Sequence, residues 1–260
     1  MSDVLSADSI HRGLDSAIIG RRVIYRDHLP STNDTAHEKI RLGAPEGTVI
    51  IAGVQDQGRG RLQRSWVGPE GNVALSVILY PSLNRLPYLI MMSSLSVCRA
   101  IGDVTGLQAG IKWPNDVLLH GKKVCGILIE NELHPDATAA AIVGIGINVK
   151  LHPDEYRDIS ATATSLETEA GQFVSRVDII RNLLVHFDRL YTSADDTKVF
   201  EDWRDSLVTL GQPVTASWKD GKVEGIAESV KENGALNIRL ADGTLHTVVA
   251  GDVTLRKVKG

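Results

Sequence analysis

The sequence predicts an α+β fold, in which a mixed or antiparallel sheet carries helices on one face and a small β-barrel follows. First, consecutive strand-like segments are joined by short turns more often than by helices, which disfavours a doubly wound parallel sheet. Second, two long segments, 88–104 and 176–191, have apolar residues at helical spacing. Third, the last 50 or so residues combine alternating apolar positions with hairpin signals.

The strands and helices of the first part follow from these patterns. Strands are predicted over 22–25, 48–54, 73–80, 111–113, 117–119, 124–133 and 139–149. A first helix follows Ser31, Thr32 and Asn33, which are N-cap residue types, and ends near Gly43. Ser175 is the predicted N-cap of a later helix, and 199–207 continues helically. The polar segment 151–171 lacks periodicity and is predicted to be a loop.

From residue 211 the pattern changes to short alternating strands. Three hairpin signals, Asp220-Gly221, Asn233-Gly234 and Asp242-Gly243, fall close together. This segment resembles an SH3-like barrel and is too short for a typical enzyme domain.

Composition narrows the functional class. The chain has 260 residues, 43% of them hydrophobic, and a formal net charge of -4, which excludes a disordered chain and disfavours a protein-wide nucleic-acid footprint. Cys98 and Cys125 lie in apolar stretches and are read as buried residues. The sequence lacks a signal-peptide pattern and a membrane-length apolar run, so a cytoplasmic protein without membrane contact is expected.

Three stretches carry residues suited to chemistry, each with a structural alternative. The nine residues 58–66, GRGRLQRSW, combine glycines, arginines suited to phosphate or carboxylate, and a tryptophan that can stack on a base; the alternative is a mobile surface loop. In 112–116, KWPND, Lys112 follows a buried strand and could neutralise an anion, or simply reach solvent. In 144–148, GIGIN, the glycines permit close approach of a ligand, or mark a bulge.

The order of these motifs, together with Ser31-Thr32-Asn33, Gln55 and the segment 123–130, KVCGILIE, closely resembles the biotin–protein ligases. The resemblance covers residues 22–149 and, more loosely, the C-terminal barrel. It implies a class II synthetase-like catalytic domain over 1–208, with a short N-terminal lead-in, and an SH3-like domain over 209–260. The implied activity joins biotin and ATP, with Mg²⁺, into biotinyl-5′-AMP and passes biotin to a lysine of a biotin carboxyl carrier protein domain.

The resemblance also implies roles for individual residues. Lys112 and Arg59 are the catalytic candidates, which hold the biotin carboxylate and the adenylate. The biotin-binding candidates are Ser31, Thr32, Asn33, Gln55, Gly58, Arg59, Lys112, Gly126, Gly144 and Gly146. The adenylate-binding candidates are Arg61, Arg64, Trp66, Asn115 and Asn148. The magnesium ligands are not located. Gln63 departs from the family, which often has glycine there, and this puts the flexibility of the loop in doubt.

Two other functions stay open at this point. A lipoate–protein ligase shares the catalytic fold, although the arginine loop, Trp66 and the barrel favour biotin. A non-catalytic biotin or nucleotide sensor is the second alternative, against which Lys112 and the intact arginine loop argue. About 20 residues precede the first strand, too few for a winged helix-turn-helix, so a monofunctional enzyme that binds no DNA is expected. The oligomeric state is open, a homodimer included.

Overall fold

Two β-sheets organise the molecule. The computed structural model describes residues 3–66, 68–133, 139–218, 221–249 and 251–255. Within them lie a seven-stranded sheet and a five-stranded sheet. The strands of the large sheet are β1 Arg22–Leu29, β2 Thr48–Gln55, β3 Val73–Leu79, β4 Gly110–Lys112, β5 Asp116–Leu119, β6 Lys122–Leu133 and β7 Ala139–Ile147, and their spatial order is β1-β2-β3-β7-β6-β5-β4. The helices are α1 Ala7–His11, α2 Thr32–Arg41, α3 Tyr88–Thr105, α4 Leu166–Ala170, α5 Arg176–Thr192 and α6 Asp196–Asp205.

The large sheet is mixed, as the sequence predicts. β1 and β2 run parallel, with α2 as the crossover between them, whereas every other neighbouring pair in this sheet is antiparallel. The short turns that join β4 to β5 and β5 to β6 produce this pattern.

The two faces of this sheet carry different helices. Since successive side chains in a strand point to opposite faces, alternate residues of β2, β3 and β7 enter different apolar layers. One layer holds Val49 and Val77 with the buried residues of α3 and α5. The other holds Ile50, Ile78 and Ile142 with Ala36 of α2. The prediction that the helices occupy one face is therefore wrong for α2.

Helix boundaries follow the expected cap signals. Ser175 caps α5, because its side chain accepts a hydrogen bond from the backbone N–H of Asp178. Gly106 ends α3 in a left-handed conformation, with φ of 74°. The segment 151–171 is not entirely a loop, since it contains a short 3-10 turn, Pro153–Glu155, and α4, both too short to show a period in the sequence.

The N-terminal lead-in is part of the fold. It contains α1, where the side chains of Ser6 and Ser9 form a capping box and Ile10 is buried. Asp188 of α5 is buried and accepts hydrogen bonds from the backbone N–H groups of residues 17, 18 and 19, at 2.7 to 2.8 Å. This carboxylate therefore joins the lead-in to the helical layer.

The C-terminal sheet consists of β8 Pro213–Trp218, β9 Gly221–Val230, β10 Leu236–Arg239, β11 Leu245–Val248 and β12 Asp252–Leu255. Gly234 and Gly243 lie in the connections that flank β10 and have φ of 82° and 85°, as expected for the predicted turns. Asp220, from the remaining predicted turn Asp220-Gly221, lies outside the described residues. Trp113 joins this sheet to the large one, since its indole N–H donates to the Gly234 carbonyl at 2.8 Å.

None of the helices in the described parts of the chain is both long and apolar enough to traverse a bilayer.

Loss of the Asp188 carboxylate should destabilise the fold. In an Asp188→Ala variant, three backbone N–H groups lose a charged acceptor, so the free energy of unfolding should fall by about 3–5 kcal/mol. Urea denaturation followed by circular dichroism measures this change. Glu201→Ala, which removes an exposed carboxylate from α6, is the control and should change it by no more than about 0.5 kcal/mol. Equal stability of the two variants would contradict the role of Asp188.

Candidate functional site

One cavity, of about 630 Å³, lies on the α2 side of the large sheet. Its floor is set by strand register: Gly126 of β6 pairs with Gly146 of β7, and Ser76 of β3 pairs with Gly144 of β7. Paired residues project to the same face, so these four positions form one continuous surface. The cavity is lined by every sequence-predicted site residue except Gly58, namely Ser31, Thr32, Asn33, Gln55, Arg59, Arg61, Arg64, Trp66, Lys112, Asn115, Gly126, Gly144, Gly146 and Asn148.

The glycines leave space that other side chains occupy. A Cβ atom on Gly146 would lie 2.4 Å from Cε2 of the Trp66 ring, and one on Gly126 would lie 2.9 Å from its Cζ3. A Cβ atom on Gly144 would lie 2.4 Å from Oδ1 of Asn33. Trp66 and Asn33 therefore lie directly on the backbone of the sheet, which excludes larger residues at these three positions.

Gly58 does not line the cavity but shapes the loop beside it. A Cβ atom on it would lie 2.6 Å from both the Gln55 side-chain nitrogen and the Trp66 carbonyl oxygen. The backbone N–H of Trp66 donates to the Gly58 carbonyl at 2.8 Å, so this glycine lets the arginine-rich loop fold back on itself.

One end of the cavity is polar and uncharged. Ser31 is the N-cap of α2, and the Gln55 side-chain oxygen accepts hydrogen bonds from the backbone N–H and hydroxyl of Thr32, at 2.9 and 3.1 Å. The buried Ser76 hydroxyl lies 2.7 Å from that of Thr32 and donates to Oδ1 of Asn33 at 2.6 Å. Ser31, Thr32, Asn33 and Gln55 line the cavity here and offer donors and acceptors to a neutral polar ligand, and Ser76 lies buried behind them. We call this set, Ser31, Thr32, Asn33, Gln55 and Ser76, the neutral end.

Arg59 lies beside the neutral end, between two carboxylates. Its guanidinium donates to Asp34 at 2.6 Å and to Glu130 at 3.3 Å. The hydrogen bond to Asp34 raises the pKa of Arg59 above its usual value despite the opposing effect of burial. The Asn33 side-chain amide donates to the same Glu130 carboxylate at 2.7 Å, so Arg59 and Asn33 share one acceptor.

The opposite end contains four cations. Lys112 at the end of β4 and Lys123 at the start of β6 both pair with Asp116, at 3.6 and 2.5 Å. The Lys123 ammonium also lies 5.6 Å from the centre of the Trp66 ring. We call this set, Lys112, Lys123, Arg61 and Arg64, the cationic end.

The two arginines of the cationic end reach across to the C-terminal sheet. Asp252 of β12 pairs with Arg64 at 2.5 Å and with Arg61 at 3.7 Å. Arg61 also donates to the Asn115 side-chain oxygen at 3.2 Å. Burial lowers the pKa of Arg61, and the nearby carboxylates of Asp252 and Asp116 oppose this effect.

Asn148 closes the cavity on the side of the segment before α4. Its side-chain amide donates to the Thr164 carbonyl at 3.0 Å, and the backbone N–H of Thr164 donates to the Lys123 carbonyl at 2.9 Å. Together these two hydrogen bonds hold the segment before α4 against Asn148 and β6.

The structure adds five residues that sequence reasoning did not assign to the site. They are Ser76, Asp116, Lys123, Glu130 and Asp252. Lys123 and Glu130 belong to a motif that the sequence analysis quoted, but only strand register shows that they lie on the cavity side of the sheet. The side chain of Gln63 lies outside the described residues. Among the described residues, no group of three or more His, Cys, Asp and Glu side chains could hold a metal ion.

Enlarging Gly146 should displace the Trp66 ring. In Gly146→Ala the new methyl group would collide with the indole, so Trp66 should become more accessible to solvent. Iodide quenching of fluorescence measures this, with Trp66→Phe in each background isolating the Trp66 signal from the other three tryptophans. Gly102→Ala in α3, where the new methyl group would lie 3.8 Å from the Leu107 carbonyl oxygen, is the control. Unchanged quenching in Gly146→Ala would show that Trp66 does not lie on the strand.

Known proteins match the chain over both sheets. The model of the biotin/lipoate A/B protein ligase family matches residues 24–148, and that of the biotin protein ligase C terminal domain matches residues 209–256. The bifunctional ligase/repressor BirA of Bacillus subtilis is 36% identical over 96% of this chain and 79% of its own length. The biotin–[acetyl-CoA-carboxylase] ligase of Paracoccus denitrificans is 32% identical over 81% of this chain and 92% of its own.

A solved structure agrees with these matches. The biotin protein ligase from Aquifex aeolicus in complex with biotin and ATP has a TM-score of 0.78 and 29% identity, over 92% of this chain and 100% of that one. Together with the relatives from Bacillus and Paracoccus, this likeness shows that the chain belongs to the biotin protein ligase family.

Proposed function

We propose that the cavity holds biotin at its neutral end and ATP at its cationic end, and that the two react between them. The observation that carries this proposal is the separation of charge within one cavity. Biotin combines a neutral ureido group with a carboxylate at the end of a chain, and ATP supplies a polyphosphate and an adenine ring. As a biotin protein ligase, the protein activates biotin with ATP to biotinyl-5′-AMP and then transfers biotin to a lysine of a biotin carboxyl carrier protein domain.

The first step brings two anions together. An oxygen of the biotin carboxylate attacks the α-phosphorus, a new P–O bond forms, and the bond to the leaving pyrophosphate breaks. Lys112 and Lys123, which Asp116 holds at the cationic end, would offset the repulsion between the carboxylate and the phosphate. Mg²⁺ bound to the polyphosphate of ATP would neutralise part of its charge and stabilise the leaving pyrophosphate.

The second step releases AMP. The amine of the carrier lysine attacks the acyl carbon of biotinyl-5′-AMP, the bond to the phosphate breaks, and the amine loses a proton. Trp66 would face the adenine, and Asn115 and Asn148, which line the same cavity, would also contact the adenylate. Arg61 and Arg64 would hold the phosphate of the intermediate, replacing their contacts with Asp252.

The division into domains fits this scheme. We assign residues 1–208 to the catalytic domain and 209–260 to the SH3-like domain, parts of which lie outside the described residues. The second domain contributes Asp252 to the cationic end, so both take part in the site.

The alternative substrate is lipoate, because the matched catalytic family includes lipoate ligases. The polar groups that line the neutral end, such as Ser31 and Gln55, favour biotin, since the dithiolane ring of lipoate would offer them no hydrogen-bond partner.

The substrate can be identified by ATP–pyrophosphate exchange. Biotin should support exchange, whereas lipoate at the same concentration should give less than about a hundredth of that rate, as expected when polar groups of a site lose their partners. Biotin and lipoate should differ in the same way in labelling of a purified carrier domain. Equal exchange rates would contradict the assignment to biotin, and biotin binding without exchange would indicate a sensor.

Removing either lysine of the cationic end should slow adenylation. For Lys112→Ala and for Lys123→Ala we expect pyrophosphate exchange about 10²–10³-fold slower, since a positioned donor to a reacting anion is lost. Lys122→Ala is the matched control: Lys122 is the adjacent residue on β6 and is exposed, and its loss should leave exchange within about twofold. A near-normal rate in both cavity variants would refute their role.

A further inference from the structure

Arg59 differs from the other cations of the cavity in what surrounds it. It belongs to the loop between β2 and β3, whereas Asp34 lies in the first turn of α2 and Glu130 on β6. Its two terminal nitrogens contact different carboxylates, Nη1 the one on Asp34 and Nη2 the one on Glu130. We propose that Asp34 and Glu130 form a carboxylate clamp that holds Arg59 across the neutral end, and that this bridge retains bound biotin instead of neutralising the reacting anions.

Charge balance supports this role. Two carboxylates surround one guanidinium, so Arg59 brings no net positive charge to its end of the cavity. At the cationic end, by contrast, Lys112 and Lys123 share the single carboxylate of Asp116. An anion would therefore be drawn to the lysines and not to Arg59.

The position of Arg59 agrees with its charge environment. Glu130, which accepts from Arg59, also accepts from the amide of Asn33 at 2.7 Å. Asn33 belongs to the neutral end and also accepts a hydrogen bond from Ser76. Glu130 therefore links Arg59 to the neutral end.

Glu130 is itself fixed in place. His37 of α2 lies between Glu130 and Glu132: its Nε2 is 3.3 Å from Glu130, and its Nδ1 contacts Glu132. With Asn33 and Arg59, Glu130 thus has three partners from two elements. It is held rigidly enough to act as an anchor for the loop.

The bridge also anchors the loop that covers the cavity. Arg59 lies between Gly58 and Gly60 and forms a β-bridge with Ser65, while the backbone N–H of Gly60 donates to the Arg64 carbonyl at 2.7 Å. This small hairpin carries Arg61, Arg64 and Trp66. If Arg59 lost its contacts with Asp34 and Glu130, both the cavity wall beside biotin and the base of the hairpin would become free to move. Asp34 and Glu130 are thus positioning residues for the proposed reaction, and the inference rests on the proposed function.

The test is the rate at which biotin leaves the full-length protein. In Asp34→Asn, which keeps the size of the side chain and removes its charge, biotin should dissociate about three- to tenfold faster, and the biotin KM in pyrophosphate exchange should rise by a similar factor. The kcat at saturating biotin should stay within about twofold, because the lysines are untouched. Asp34→Glu should restore part of the retention.

A double-mutant cycle and a matched control separate the clamp from general effects. In the Arg59→Gln background, Asp34→Asn should add no further increase in the dissociation rate, since its partner is already absent. Glu38→Gln removes a carboxylate from an exposed position of the same helix, where its ion-pair partner is Lys39, and should change neither biotin dissociation nor KM. Thermal unfolding of each variant checks that the fold is intact.

The alternative outcomes are distinct. Unchanged biotin dissociation in Asp34→Asn, or equal effects of Asp34→Asn and Glu38→Gln, would overturn the clamp. A kcat about a hundredfold lower in Arg59→Gln with an unchanged biotin KM would also overturn it, and would make Arg59 a catalytic cation. If the unmodified protein binds no biotin, the proposed function fails first, and this role of the clamp fails with it.

Discussion

The site depends on side chains that pack directly on the backbone of β6 and β7, where no Cβ atom intervenes. Gly126 and Gly146 are paired across the strands and carry the Trp66 ring, and Gly144 accommodates Asn33. Strand register determines this arrangement. A slip of one residue would turn Ile127 and Ile145, now buried in the main core, toward the cavity and close it. The same register places Ser76 and Glu130 on the cavity face, so both the floor and its polar partners come from one pairing.

Charge is distributed along this floor in a way that suits two different ligands. At the neutral end, hydrogen bonds among Thr32, Gln55, Ser76 and Asn33 satisfy the buried groups and fix the orientation of the Asn33 amide. At the cationic end, Asp116 holds two lysines near each other, although their like charges repel. A site preorganised in this way would need little rearrangement if, as proposed, negative charge develops between substrates bound at its two ends.

The sequence predicts the parts of this structure that local patterns determine. The long apolar period of α3 and the N-cap serine of α5 identify their helices, and the motifs bring all but one of the predicted residues to the cavity wall. Local patterns do not predict the sheet face on which α2 packs. Its small apolar side, centred on Ala36, fits the isoleucines of β2, β3 and β7, and these can be assigned to one face only once the strand pairing is known.

Two of the residues that sequence reasoning missed, Ser76 and Glu130, are far along the chain from their partners. Ser76 contacts Asn33 from 43 positions away, and Glu130 meets the same residue from 97 positions away. The hydrophobic periodicity of a sequence does not predict such contacts, because they arise from cross-strand register and from the packing of α2 on the sheet. A serine in a buried strand and a glutamate at the end of an apolar run are the only signals in the sequence, and both have structural explanations.

The C-terminal sheet completes the cationic end, which ties the two sheets into one functional unit. Asp252 balances the charge of Arg61 and Arg64, and the indole of Trp113, in the motif that begins with Lys112, donates to the Gly234 carbonyl. The backbone N–H of Trp113 also donates to the hydroxyl of the buried Thr209, at 2.8 Å. The turn that follows Lys112 is therefore held by the C-terminal part of the chain. The role proposed for Lys112 needs a fixed backbone to keep its ammonium at one place, and part of that rigidity comes from outside the sheet that bears the lysine.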